Sequence, residues 1–502
     1  MLGKFRKDRQ EQRRLAALAE LERRELQLRP AYKVWGYKNV FAKGFLVTRS
    51  ATAQPPRDNW VRAKVGSWHI VHDPELEVQV ASHEADPRVA VLGHAFAEGG
   101  PRQRGRVAQR LQRAARSGRD AVEDEVTWLS GRYVVLVDWG DELDVYNDPL
   151  ATRACYWHRT ADDVVLASHT ALIAQHVGGL GSEQMWWALR HPDYRSPAGR
   201  WIPGLITSHD GVEQVYANGR LTVGKSRVTH SRFFPKHDRE ELPLTEATEQ
   251  CRDALREQIK NWTQVAPITT LALTAGHDSR AILDAGLDIL QANGALAMTY
   301  HPFHVPGKST YADVEAANRL AAAARLPHLV LDVAPRSPAS VFAKFYEQTF
   351  PTYRRYENLA NALYLRVPAR SATLFGVGGA VITGMYADTS DTNLTPQLLA
   401  RKYAQSAFGN DPRLHEVFEN WMQRTDFSAE QLRGYSFYDF FHWEHRMSKW
   451  GAEGYNEYDL ATIPAPVLSS RRLLVAALSL PEELRRGRAI YDELRREPEP
   501  TR

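Results

Sequence analysis

Between Leu271 and Leu283 the chain reads LALTAGHDSRAIL: an apolar run, a tight polar turn with one glycine, and an amphipathic restart. The residue types in that turn suit an anion. Thr274, Ala275 and Gly276 are small enough for backbone to approach a phosphate closely, Ser279 can donate a hydroxyl, and Asp278 can hold a Mg²⁺ that bridges phosphate oxygens. His277 and Arg280 complete the stretch. His277 would touch phosphate when protonated, although a ring facing solvent or the helix is the plainer expectation. A helix N-terminus at the carboxyl end of a parallel strand presents free N–H groups and the positive end of its dipole, so the expected ligand is a phosphate. The turn lacks the lysine of a GxxxxGK[ST] loop and is not a GxGxxG fingerprint.

Such a turn needs a strand before it and a helix after it. ITTLALTAG, GALAMTYHP and LPHLVLDV read as apolar strands separated by helical patterns such as YADVEAANRLAAAAR, which predicts a parallel sheet with crossover helices. The chain is mostly helical in pattern from about Pro338 onward. A linker rich in proline and charge, PKHDREELP, precedes this region and leads into a helix. From Val34 to about Pro235 the texture is instead short strands and turns, with Gly140-Asp141 as a hairpin between VVLVDW and ELDVY. QRGRVAQRLQRAARSGRD and SEQMWWALRHPD read as helices against those strands. Residues 3–29 read as a helix with Leu15, Leu18 and Leu21 on one side, closed by Pro30. A solvated terminal helix is the plainer expectation there, and docking of a protein partner the alternative. The division expected is a basic helix over 1–30, a first domain over 31–238 and a second over 239–502.

Composition narrows the classes. At 502 residues, 43% hydrophobic and 25% charged, the chain is expected to hold two or three domains. No stretch nears the ~18 uninterrupted apolar residues of a membrane span, and MLGKFRKDRQEQRR has no secretory signal, so a cytoplasmic protein is expected. A net charge of +4 forces no nucleic-acid partner. Cys155 and Cys251 stand far apart, without the spacing of a metal site or a disulfide framework.

The turn from Thr274 to Ser279 resembles the SGGxDS pyrophosphate loop of the N-type ATP pyrophosphatases, with Thr for Ser and Ala for Gly at its start. Two downstream stretches extend the likeness to asparagine-synthetase-like proteins. STYADVEAANRLAAAARLPHLVLDV is similar to the family's Ser-x-x-x-Asp start of a helix and the strand after it. VITGMYADTSD is similar to its second active-site loop, in which Thr383 and Gly384 would open the turn and Asp388 would reach Mg²⁺. His445 to Ser448 resemble its Asp-Arg-Met-Ser helix. Upstream, Gly131 to Tyr133, Asp148-Pro149 and Ala167 to His169 are similar to the family's glutaminase-type domain. The resemblance spans most of residues 60–470. It implies an α/β and α+β chain: a degenerate Ntn-type αββα sandwich, then a parallel-sheet α/β domain of the adenine-nucleotide-hydrolase type.

The family's glutaminase needs a cysteine as first residue, its thiol attacking and its own amine acting as base. This chain begins Met1-Leu2, and neither Cys155 nor Cys251 can serve, so no glutamine hydrolysis is expected. Relatives of that kind are β-lactam synthetases, carbapenam synthetases and lasso-peptide cyclases. They imply an AMP-forming ligase using ATP and Mg²⁺, in which a small-molecule or peptide carboxylate becomes an acyl-adenylate and an amine attacks it. Asp278 and Asp388 would hold the metal, and one of Glu444, Glu453 or Glu457 would assist the amine. The tyrosine of the β-lactam-type members is replaced by Met385, with Tyr386 one place later. The family's late lysine has no counterpart, and Lys449 is the nearest on the helix. The alternatives are an ammonia-dependent synthetase and a non-catalytic partner subunit; a homodimer is compatible with any of them.

Overall fold

The short apolar and alternating runs pair into three sheets. The computed structural model describes residues 39–495, apart from 83–86, 98–105, 196–198, 306, 309 and 369, together with Gln12 and Ala16. The helix expected over 3–29 therefore lies outside the described residues save for those two, as does Ser309 of the Ser-x-x-x-Asp stretch.

The first twelve strands are β1 (Phe45–Thr48), β2 (Val61–Val65), β3 (Trp68–His72), β4 (Val78–Ala81), β5 (Arg88–Ala97), β6 (Leu129–Asp138), β7 (Leu143–Asn147), β8 (Tyr156–Arg159), β9 (Val164–Ala167), β10 (Glu213–Gln214), β11 (Gly219–Val223) and β12 (Val228–Arg232). They form two antiparallel sheets, ordered β10-β8-β9-β1-β3-β2 and β12-β11-β7-β6-β5-β4. Side-chain alternation divides each strand between two cores. Phe45, Val47 and Ile70 of one sheet meet Leu92, Val134 and Leu136 of the other. On the outer faces Val89, Val135 and Val137 pack on the helices Arg106–Ala115 and Arg119–Thr127, while Leu46, Val71 and Ala167 pack on Thr170–Val177. The result is an αββα sandwich. Because both faces are covered, every residue of β6 is buried, and its central stretch YVVLV is apolar on both faces rather than alternating.

Gly140-Asp141 joins β6 to β7 as an antiparallel hairpin. The helix expected over QRGRVAQRLQRAARSGRD ends at Ala115, and a second helix, Arg119–Thr127, starts after Gly118, whose φ of 106° suits glycine.

The helix Leu244–Trp262 leads into the second sheet system: β13 (Ile268–Ala272), β14 (Leu296–His301), β15 (His328–Asp332), β16 (Ser371–Phe375) and β17 (Ile463–Pro466). All pairs are parallel, in the order β15-β14-β13-β16-β17. Leu271, Leu273 and Leu374 face one helix layer with Ile259, Trp262 and Ile282. Ala272, Met298 and Phe375 face the other with Phe342, Leu363 and Tyr455. Among the described residues no helix is long and apolar enough to cross a membrane.

Candidate functional site

The strand order locates the crevice. From β13 the chain builds outward through β14 and β15, then returns to the other side of β13 for β16 and β17. Connections on either side of that point leave in opposite directions, which opens a crevice outside the carboxyl ends of β13 and β16, where parallel α/β sheets take ligands. The turn Leu273–Gly276 leaves β13 there and enters the helix His277–Ala292. From β16 comes a second turn, Gly376-Val377-Gly378, entering the short helix Gly379–Thr383. Sequence reading passed over this second turn, although three glycines in four residues after the apolar run SATLF were its signal.

The two turns touch through Asp278. A Cβ at Gly379 would lie 2.1 Å from Asp278 Cγ, and one at Gly376 2.9 Å from Asp278 Cβ. Gly379→Ala is therefore expected to lose about 1–3 kcal/mol through overpacking, read as a lower urea midpoint. Adding Asp278→Ala should recover much of that loss, because it removes the atoms that clash.

Within the first turn most donors are already engaged. Thr274 N–H donates to Ser279 Oγ at 3.1 Å, and Gly276 N–H to Thr274 Oγ1 at 3.1 Å. Ala275 N–H donates to Asp313 Oδ1 at 3.0 Å, so a carboxylate from the helix Tyr311–Ala323 sits where the turn presents its amide to an anion. Asp278 accepts from the Tyr491 hydroxyl at 2.6 Å. Burial pushes the Asp278 carboxyl up from its ordinary range, against the pull of Tyr491 and Arg488. His277, at the first helical position, is held below its usual pKa by burial and by Arg488, Arg495 and Arg280.

Asp388, expected to share a metal with Asp278, is engaged with groups of its own loop and the next helix. Asp388 lies past the helix Gly379–Thr383 and the turn at Gly384, exposed, with Ser390 Oγ donating to it at 2.7 Å and Lys402 Nζ 3.3 Å away. Those bonds, the Ser390 hydroxyl first, hold its pKa down at about 2. Among the described residues Asp278 and Asp388 share no hydrogen-bond partner, and Arg486 fastens the Asp388 loop through the carbonyls of Tyr386 and Ala387. Thr383 closes its own helical turn onto the Gly379 carbonyl at 3.4 Å. Among the described residues no group of three His, Cys, Asp or Glu is arranged to hold a metal. At the crevice the carboxylates of Asp278 and Asp313 are both hydrogen-bonded within the protein, to Tyr491 and to the Ala275 amide, and Asp278 is raised in pKa, so neither stands as a free ligand for Mg²⁺.

The glutamates offered as amine-assisting bases sit on one continuous helical element, a π-helical stretch Phe441–Gly451 running on into Ala452–Tyr458. Its positions recur every three or four residues on one face, and that face meets the first domain. Glu444 takes a bidentate pair from Arg232 at 2.6 and 2.8 Å and a bond from Asn218 at 3.0 Å. His445 Nε2 accepts from Gly204 N–H at 2.8 Å, and Ser448 Oγ from Ala217 N–H at 3.3 Å. Lys449 Nζ donates to the Ile206 carbonyl at 2.7 Å, and Tyr156 donates to Glu453 at 3.0 Å. Asp459, just beyond, closes the row with Arg132 and Arg153. Glu457 faces its own domain instead, accepting from Tyr346 at 2.7 Å and from the N–H groups of Arg355 and Tyr356 at 2.9 and 2.8 Å. Burial raises its pKa to about 7 despite those donors. Glu444 and Glu457 are thereby committed to structure.

Glu453 and Lys449 together line a cavity of about 10 Å³, and Glu453 a second of the same size with His169 and Tyr353; Glu444 lines a third of that size, but there its carboxylate is held by Arg232. Each has room for about one water. Burial lowers the Lys449 ammonium to about 7 and raises the Glu453 carboxyl. An open groove of about 390 Å³ adjoins them through Ile206 and Thr207, walled by the helix Pro412–Arg424. Both cysteines are buried, and burial pushes the Cys155 thiol well up and that of Cys251 to about 12, which disfavours the reactive thiolate.

No protein-family model matches the chain, and no curated protein sequence matches it. Among solved structures, partial likeness is found to the allosteric regulatory enzyme of purine biosynthesis, at 12% identity and a TM-score of 0.25, over 60% of this chain and 77% of that one. The glutamine phosphoribosylpyrophosphate amidotransferase of B. subtilis, complexed with ADP and GMP, matches at 11% and 0.25, over 77% and 75%. The NH3-dependent NAD synthetase of Campylobacter jejuni matches at 17% and 0.21, over 37% of this chain and 96% of its own.

Proposed function

We propose that the crevice between β13 and β16 takes the phosphates of ATP and that the chain is an ATP-dependent, AMP-forming ligase that makes an amide without hydrolysing glutamine. One observation carries this reading: the Thr274–Ser279 turn stands at the reversal of strand order, where the N-terminus of the helix His277–Ala292 opens onto the exposed Gly276. A carboxylate is a poor electrophile until AMP becomes its leaving group, so cleavage between the α- and β-phosphates would activate it for attack by an amine. Of the three glutamates, Glu453 is the one left to take the amine's proton, with Lys449 beside it near neutrality.

A second reading, a nucleotide-binding partner subunit without turnover, is favoured by the engagement of Asp278 with Tyr491 and of Ala275 with Asp313. Calorimetry with ATP, beside pyrophosphate release over a set of carboxylic acids with and without added ammonium, separates the two. Binding with release supports the ligase, and dependence on ammonium marks the ammonia-dependent version. Binding without release leaves the partner subunit, and no binding by folded wild-type protein ends both. Gly276→Asp should weaken ATP at least tenfold. It places a carboxylate at the mouth of the turn while its backbone stays at φ −67° and its Cβ meets only Thr274 Oγ1 at 3.1 Å.

A further inference from the structure

Both ring nitrogens of His277 face guanidinium groups. Arg488 Nη1 lies 2.7 Å from Nε2, and Arg495 Nη2 contacts Nδ1. A guanidinium only donates, while a neutral imidazole has one acceptor nitrogen and a protonated one has none. At least one contact therefore sets donor against donor, an arrangement that an anion among them would relieve.

Other groups around His277 point the same way. Arg280, in the first turn of the same helix, adds its charge, and its Nε is buried without a hydrogen-bond partner among the described residues. The acids in reach are Asp492, which pairs with Arg495 at 3.0 Å, Asp284, which faces Arg280 and Arg495, and Asp278, which Tyr491 engages. Among the described residues none forms an ion pair with Arg488. That residue joins the helices Glu482–Arg486 and Ala489–Arg495 at φ 63°, a left-handed conformation that costs a non-glycine residue about 1–2 kcal/mol.

We propose that Arg488 and Arg495 are pyrophosphate-binding residues. They grip inorganic pyrophosphate, or the β- and γ-phosphates of a nucleotide, at the N-terminus of the helix His277–Ala292, and supply there the positive charge that a divalent cation would otherwise bring. The planar fork of each guanidinium matches phosphate oxygens in pairs, and the helix N-terminus adds to the attraction. The proposal rests on the reading that this crevice takes a nucleotide's phosphates, and its consequence is that the polyphosphate binds without a divalent cation.

The test is calorimetry of inorganic pyrophosphate against the full chain, once in EDTA and once in Mg²⁺, for wild type, Arg488→Gln, Arg495→Gln and the double variant. Wild type is expected to bind in EDTA, each single variant at least about tenfold more weakly, and the double variant more weakly still. Arg488→Lys, which keeps the charge and loses the fork, should fall between, and unchanged thermal midpoints would exclude misfolding. Binding that requires Mg²⁺, equal binding by the double variant, or no binding by wild type would each overturn the proposal. The ligase reading fails separately: pyrophosphate binding without ATP turnover removes the ligase and keeps the arginines. ATP turnover with unchanged pyrophosphate affinity in the variants does the reverse.

Discussion

Asp459→Ala is expected to destabilise the protein by about 3–5 kcal/mol, the usual cost of removing one partner from a buried ion pair. Arg132 donates to both Asp459 oxygens at 2.7 Å, Arg153 adds a third bond at 2.9 Å, and all three side chains are 1–2% exposed. The arginines belong to the antiparallel domain and the aspartate follows the helix Ala452–Tyr458, so the variant strands two guanidinium groups between the domains. Burial alone would raise the Asp459 carboxyl, but Arg132 and Arg153 outweigh it and hold it below its usual value. A depressed acid contributes stability above its unfolded pKa and loses it as pH falls through the folded one. The gap between wild type and variant in urea midpoint should therefore be full at neutral pH and narrow on acidification below the ordinary carboxylate range. A midpoint at pH 7 within experimental error of wild type would show that the triad does not hold the domains together.

Lys449→Met is expected to have the opposite sign. Burial brings the Lys449 pKa from 10.5 to about 7, so below pH 7 the folded protein carries an ammonium that its surroundings disfavour. At ~1.4 kcal/mol per pKa unit, less about 1–3 kcal/mol for the lost bond to the Ile206 carbonyl and the lost charge facing Glu453, the variant should be more stable by about 2–4 kcal/mol at pH 6. A group with a depressed folded pKa favours folding fully above its unfolded value and loses that contribution as pH falls through the folded one. Wild type should accordingly gain on the variant between pH 7 and 10.5, closing the difference. A difference that stays constant over this window would mean that Lys449 does not titrate there. If Lys449 and Glu453 also assist the amine, the same substitution lowers amide formation while raising the melting temperature.

The fold could be read from local patterns because its elements are local. Alternation in VVLVDW and ELDVY, turn residues at Gly140-Asp141, and apolar runs spaced by helical stretches marked a mixed, strand-rich first region and the strands β13 to β15 of a parallel sheet, while the αββα class came from the family resemblance. β16 and β17 were harder, since SATLF and IPAP are short and lie among helices. They become strands by pairing with β13 and with each other across the sheet. The helix break at Gly118 was missed because a lone glycine is compatible with either outcome until the sheet beneath sets the direction of the chain.

The site divides in the same way. By itself the sequence determined which residues form the turn after β13 and that small side chains and a helix N-terminus meet there, because five or six consecutive residues settle such geometry. Only the tertiary structure decided what else reaches that turn. Asp313 comes from the helix Tyr311–Ala323, Gly376 and Gly379 from the turn after β16, and Tyr491, Arg488 and Arg495 from the C-terminal helices, up to 218 residues away along the chain. It also decided that Glu444 pairs with Arg232, that Glu457 anchors the loop at Arg355, and that Asp388 is held by Ser390 and Lys402. A carboxylate has the same chemistry in the sequence wherever it stands. Its neighbours and its distance from water, which long-range packing alone supplies, set whether it binds a metal, moves a proton or holds two domains together.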